Sequence, residues 1–192
     1  MTPVTATAHE VEVLLDHLRS AVRLGDPEAI TGRIKEDLEH FAAHGVLFPE
    51  RFHRVKPNSY GRRLLHRDLD LGFTAVVMTW GPGQHTALHD HAGIWCVEGV
   101  IEGEMEVTRY DRIDESADGL CHFVEKGYTR AGVGSAGALI PPYEYHVLGN
   151  AHPEKMALTL HVYGGEMNHC SIFEPLGDGA FQRQTRSLCY DE

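Results

Sequence analysis

Positive charge is in short supply in this chain, with 17 Lys and Arg against 28 Asp and Glu. Contact with a phosphate backbone needs concentrated basic side chains, so the balance argues against a nucleic-acid partner. Long apolar runs are missing too: no stretch approaches the ~20 residues of a membrane-spanning helix. The N-terminal MTPVTATAHEVEV lacks a basic start followed by an apolar run, and a cytoplasmic protein with no membrane association is expected. Cysteine is sparse and scattered, at Cys96, Cys121, Cys170 and Cys189. No C-x-x-C pair offers a zinc or thiol-exchange site, and no disulfide framework is implied. Repeats and low-complexity segments are absent as well. What remains is a chain of 192 residues, long enough for one domain with a sizeable core, and a monomer is the expectation.

Two patterns divide the chain. In residues 9–23, Val11, Leu14, Leu15, Leu18 and Val22 recur at helical spacing with Glu12, Asp16 and Arg19 between them, which predicts an amphipathic helix. Asp26-Pro27-Glu28 then supplies an N-cap, a proline at the first helical position and an early acid. Ile30, Ile34, Leu38 and Phe41 carry a second stripe to Gly45. Residues 1–50 are therefore read as a helical segment packed as a lid on the remainder. From Tyr60 the grammar changes to short β-rich runs, GRRLLHRD, GFTAVVMTW, IWCVEGVIEGEMEVTRYD, GALIPP and KMALTLHVYG, punctuated by glycine, proline and aspartate. Gly81-Pro82-Gly83 marks a turn, and Gly99 to Gly103 is read as punctuating a hairpin. A small closed β-barrel over 51–192 removes sheet edges and leaves an interior for a ligand.

Chemistry concentrates at His89-Asp90-His91. Side chains two apart on an extended strand point to one face, so both imidazoles can grip a single ion. A later segment, PPYEYHVLGN, adds His146 and Asn150 in the pattern P-x4-H-x3-N. Three neutral histidines would hold a divalent cation without adding negative charge, and imidazole suits iron, zinc, copper and nickel alike. Read alone, Cys96 is compatible with an inert buried thiol and Arg62 with a solvated arginine.

The two histidine motifs, in this order, resemble those of a cupin barrel, with Cys96 standing where many cupins carry a glutamate. With further motifs the resemblance narrows to the cysteine dioxygenase family. These are Tyr60-Gly61-Arg62, Cys96 five residues after His91, His146 with Asn150, the strand Thr159-Leu160-His161-Val162-Tyr163, and the later Cys170. The resemblance implies a mainly β cupin fold and Fe(2+) held by His89, His91 and His146. It implies that cysteine and dioxygen are converted to cysteine sulfinic acid. Arg62 would pair with the substrate carboxylate and, with Tyr60 and Tyr163, bind the substrate and the developing oxygen species, while Tyr163, oriented through His161, together with His161 and Cys96 would form the catalytic group. A thioether joining Cys96 to Tyr163 is part of the same expectation. Thr159, His161 and Tyr163 alternate on one strand and are expected to form a hydrogen-bonded row, with Arg63 turned to the opposite face. Animal family members follow the active-site tyrosine with Ser-Pro-Pro, whereas this chain has Gly164-Gly165-Glu166, from which a looser loop is expected. A subgroup acting on mercaptopropionate has glutamine and glycine at the positions of Arg62 and Cys96, so both residues favour cysteine. A cupin that binds metal without turnover is the alternative from another class.

Overall fold

The computed structural model describes residues 4–46 and 48–192. Two helices come first, α1 (Val4–Val22) and α2 (Pro27–Ala43). Asp26 caps α2 as its position before Pro27 predicts, its carboxylate accepting the Ala29 N–H at 3.0 Å. Eleven strands follow among the described residues: β1 (Gly61–Asp68), β2 (Phe73–Trp80), β3 (Leu88–His89), β4 (Cys96–Glu102), β5 (Glu104–Glu115), β6 (Leu120–Gly132), β7 (Ala136–Leu139), β8 (His146–Asn150), β9 (Ala157–Tyr163), β10 (His169–Gly177) and β11 (Ala180–Ser187).

One sheet runs β1-β2-β9-β4-β7; the other strands close a ring in the order β10-β11-β6-β5-β8-β3. All pairings are antiparallel. The molecule is thus mainly β, with two helices ahead of a cupin-like barrel. The run IWCVEGVIEGEMEVTRYD does not form a hairpin. It breaks at Gly103, where β4 stays with β7 and β9 while β5 crosses to β6 and β8. Gly103 has φ 78°, and a Cβ there would lie 2.9 Å from Ala157 Cβ and Met156 O. That tight corner explains why glycine marks the change of sheet.

Strands β2 and β9 are buried along their whole length because both faces are covered. Phe73, Ala75 and Val77 of β2, with Leu158, Leu160 and Val162 of β9, pack against Leu14, Leu18, Ile34 and Leu38 of the helices. The alternate residues Val76, Met78 and Trp80, with Ala157 and Tyr163, face the interior between the sheets. At ~1.5–3 kcal/mol for each large side chain removed from water, the helical stripe is a major contributor to holding this sheet. The expected lid is therefore a backing: α1 and α2 cover the outer face of the sheet, opposite the face that carries the histidines. Among the described residues no helix is long and apolar enough to cross a membrane, and all four cysteines are unpaired.

Candidate metal centre

Pairing of β3 with β8 sets His89 directly across from His146, and His91 follows two residues later. Asp90 fixes this short segment: its carboxylate accepts the N–H groups of Ser171 at 2.8 Å and Ala92 at 3.1 Å. Asn150 is not a ligand but a clamp. Its amide donates to the carbonyls of Trp80, Gly81 and Lys155 at 2.7–3.2 Å, and its Oδ1 accepts from His152 N–H at 2.9 Å.

One ligand atom from each of His89, His91 and His146 lies within 4.8 Å of the other two. The Nε2 atoms of His89 and His146 are 3.2 Å apart. His89 donates Nδ1–H to the Ala87 carbonyl at 3.1 Å, which leaves its Nε2 lone pair facing His146. Burial holds His89 well below the ordinary imidazole pKa and lowers His146 to about 4, so both are neutral donors near pH 7. Burial pushes His91 downward too, but Glu144 and then Glu98 outweigh it and raise His91 to about 9. Glu144 accepts the His91 backbone N–H at 2.8 Å, and its carboxylate lies 3.3 Å from Nδ1, an ion-pair distance at which that buried ring nitrogen makes no hydrogen bond. Three converging imidazoles, His91 and His146 buried and His89 partly so, fit a divalent transition metal.

On the inner face of β9 the Trp80 indole N–H donates to Thr159 Oγ1 at 2.9 Å, and Thr159 is 2.8 Å from His161 Nε2. The expected row stops there. Tyr163 stacks on His161 with centroids 6.0 Å apart and rings inclined by 20°, and the buried His161 Nδ1 has no hydrogen-bond partner. Tyr163 stands instead opposite Cys96, its partner in the β4–β9 register. Both are buried, and burial pushes the thiol and the phenol well up.

Arg62 lines the same pocket as Tyr60, His89, His161 and Tyr163 and is only 6% exposed. Its guanidinium donates to the carbonyls of Met167 and Cys189, each at 3.1 Å, and lies 5.2 Å from the Tyr190 ring. A guanidinium has five N–H donors, so these bonds aim the fork and leave donors for a ligand. Arg63 points the other way, as expected, bonding Thr79 Oγ1 at 3.0 Å and the Arg54 carbonyl at 2.8 Å. The final residues strap the pocket: Asp191 exchanges bonds with the Arg62 backbone at 2.8 and 2.6 Å, and Tyr190 O–H donates to Glu166 at 2.7 Å.

The Gly164-Gly165 loop is held, contrary to expectation. Gly164 N–H donates to the Trp95 carbonyl at 2.9 Å, Thr74 Oγ1 bonds the Gly165 carbonyl at 2.7 Å, and a Cβ at 164 would collide with the Trp95 indole. Glycine is there because a tryptophan occupies the space. Gly164→Ala is therefore expected to lower stability by ~1–3 kcal/mol, as overpacking does. That amounts to roughly 2–4 °C per kcal/mol in thermal unfolding for a chain of this size. Recovery of Tm when Trp95→Leu is added would confirm the cause, and an unchanged Tm in Gly164→Ala would refute it.

Sequence reading missed Glu98, Glu144 and the strap. For Glu98 a signal existed, since Cys96 and Glu98 share one face of β4. Its carboxylate lies 3.3 Å from His146 Nε2. Burial would raise its pKa, but His146, His161 and His91 outweigh burial and hold it ionised far below the usual carboxylate range.

A model of the family "Cysteine dioxygenase type I" matches residues 46–175. Cysteine dioxygenase type 1 of Rattus norvegicus and that of Mus musculus are each 21% identical to this chain over 102 residues, 53% of it and 50% of theirs. The chain spans about half the length of the curated relatives it matches. Among solved structures, a protein with a double-stranded β-helix domain from Klebsiella pneumoniae has a TM-score of 0.48 at 20% identity, covering 67% of this chain and 97% of that one. A protein from Thermus thermophilus has a TM-score of 0.46 at 20% identity, covering 62% and 95%.

Proposed function

Because the chain belongs to the cysteine dioxygenase type I family, we propose that it is an iron-dependent thiol dioxygenase converting L-cysteine and dioxygen to cysteine sulfinic acid. The observation that carries this reading is the joining of His89, His91 and His146 with Arg62, Tyr60 and Tyr163 in and around one buried pocket. Ferrous iron, held by those three histidines, would supply the Lewis acidity for a thiolate and the electrons that dioxygen chemistry needs. The balance is simple: one thiol takes up both atoms of one dioxygen, and the S–H proton leaves with the sulfinic acid.

Everything else is work for the protein. Arg62 pairs with the substrate carboxylate through the donors its two carbonyl contacts leave free, which orients the thiol toward the histidines. Tyr60, its ring 4.7 Å from that of Trp80, walls the pocket, and its hydroxyl is the natural partner for the same carboxylate. Tyr163 presents a phenol that burial keeps protonated, able to donate a hydrogen bond to a reacting oxygen or sulfur atom. The strap from Leu188 to Asp191 helps exclude water. Four unpaired cysteines support the cytoplasm as the working compartment.

The test is anaerobic loading with ferrous iron followed by oxygen uptake with a panel of small thiols. One dioxygen per cysteine, with cysteine sulfinic acid as product and kcat/KM above that of 3-mercaptopropionate, is expected. A reversed preference at equal iron content would move the chain to the mercaptopropionate type, and no uptake with any thiol would leave a binding module.

Register pairing of Cys96 with Tyr163 also supports the thioether. A bond forms between Cys96 Sγ and a ring carbon of Tyr163, while the S–H and one C–H are lost. Dioxygen, already the co-substrate, accepts the two electrons and two protons. Incubation of the iron-loaded protein with cysteine and air should lower the intact mass by two hydrogens and yield a joined Cys96–Tyr163 peptide. An unchanged mass after many turnovers would return Cys96 to a packing role.

A further inference from the structure

A second cavity opens beside the metal centre and has no part in the chemistry above. Its volume is about 400 Å³, within the ~300–1,000 Å³ of small-molecule sites. It shares only Glu98 and Leu148 with the pocket that holds Arg62, and it borders His146 where that pocket borders His89. Strand geometry accounts for the space. β7 is the edge of its sheet and pairs with β4. Gly137 stands opposite Glu98 in that pair and so belongs to the inner face, where a Cβ on it would meet nothing within 4 Å. Across the gap, Val107 of β5 pairs with Thr129 of β6, and Met105 with Ala131. The small residues Gly137 and Ala131 leave room that Val100, Met105, Val107 and Leu148 wall with apolar surface.

The charges along the lining are unequally committed. Arg130 is occupied, pairing with Glu104 at 2.9 Å and donating to the Ala151 carbonyl at 3.3 Å. Glu98 is turned to the imidazoles of His91, His146 and His161. Arg109 is different. It shares the inner face of β5 with Met105 and Val107 and stands across from His146 in the β5–β8 pair. Its side chain is exposed and has no hydrogen-bond or ion-pair partner among the described residues. From Arg109 to Met105 the strand runs ~13 Å. An apolar cavity with one uncommitted guanidinium on its wall suits an amphipathic anion, because the planar fork takes a carboxylate bidentately while the lining takes an apolar tail.

We propose that this cavity is a second ligand site, taking a small amphipathic carboxylate whose acid group pairs with Arg109 and whose apolar tail lies on Val107, Met105 and Leu148. The site is separate from the thiol chemistry: its charged group is Arg109 instead of Arg62, and its opening lies between β7 and the β5–β6 ribbon.

The test is a titration of the full-length protein with decanoate, following isotope-labelled methionine methyl groups by NMR and the heat of binding by calorimetry. Met105 lines this cavity, whereas Met78 and Met167 line the Arg62 pocket. The Met105 signal should therefore move saturably while the other two stay. Decanol should bind at least ~10-fold more weakly than decanoate, and decanoate should lose at least ~10-fold in affinity for Arg109→Gln, because each change removes a hydrogen bond between charged groups. Gly137→Leu fills the space without touching the charge and should abolish saturable binding. The site is overturned by no binding of decanoate, by equal affinity for decanoate and decanol, or by an unchanged Kd in either variant. Shifts at Met78 and Met167 in place of Met105 would overturn it too. Adding a metal chelator should leave Kd unchanged, and loss of binding would put the carboxylate on the metal and refute the assignment. Should Gly137→Leu not fold, the comparison with decanol and the methionine signals decide without any substitution. Neither a thiol nor dioxygen enters the assay, so failure of the dioxygenase reading and failure of this site are told apart.

Discussion

His146→Ala should purify without bound iron and without oxygen uptake. His146 is 1% exposed, faces His89 across the β3–β8 pair, and its neutral Nε2 lies at the centre of the cluster. If a three-donor site binds its ion with ~10–16 kcal/mol, each donor supplies roughly 3–5 kcal/mol, so its removal weakens binding by a factor on the order of several hundred or more. His85, His152 and His169 provide the contrast. His85 Nδ1 bonds the Thr86 carbonyl, His152 Nδ1 receives the N–H groups of Glu154 and Lys155, and His169 pairs with Asn168. Alanine at any of these three should leave metal content intact. Elemental analysis after reconstitution measures it, and one equivalent of iron in His146→Ala would exclude the site.

Arg62→Ala should raise the cysteine concentration needed for half-maximal rate far more than it lowers the maximal rate. Loss of one partner from a desolvated charge pair costs ~2–5 kcal/mol, or roughly 30-fold to several thousand-fold. The same substitution removes bonds to the Met167 and Cys189 carbonyls, so part of any effect would come from a loosened strap. Thermal unfolding of the variant measures that share. A cleaner measurement needs no mutation: cysteamine, which has the thiol and amine but no carboxylate, should be a poor substrate of the unmodified protein. Equal kcat/KM for cysteamine and cysteine would show that Arg62 does not read the carboxylate.

Much of this molecule is written in short-range pattern. The Asp26 cap, the helical stripes through Leu14, Leu18, Ile34 and Leu38, and the glycine that ends β4 all act within a few residues of themselves. Local sequence therefore suffices to read them. His89-Asp90-His91 and the Thr159-His161-Tyr163 alternation are legible for the same reason, because a strand's two-residue period assigns side chains to faces wherever the strand goes. Strands β6, β10 and β11 were not legible. β11 is largely exposed, and its Gln, Arg and Thr residues carry little hydrophobic alternation, so only pairing with β10 and β6 makes it a strand.

Tertiary structure alone decided which faces meet. Periodicity could say that β9 has two sides, but not that one receives helices and the other the metal centre. It could not say that Trp95 fills the space beside Gly164 and holds a loop that composition reads as slack. Nor could it say that Glu98 and Glu144, at opposite ends of a 46-residue separation in the chain, converge on one imidazole. Buried carboxylates are stable only beside partners that satisfy them. Those partners come from the segment just after β3 and from β8 and β9, elements distant in sequence that only the closed barrel brings together.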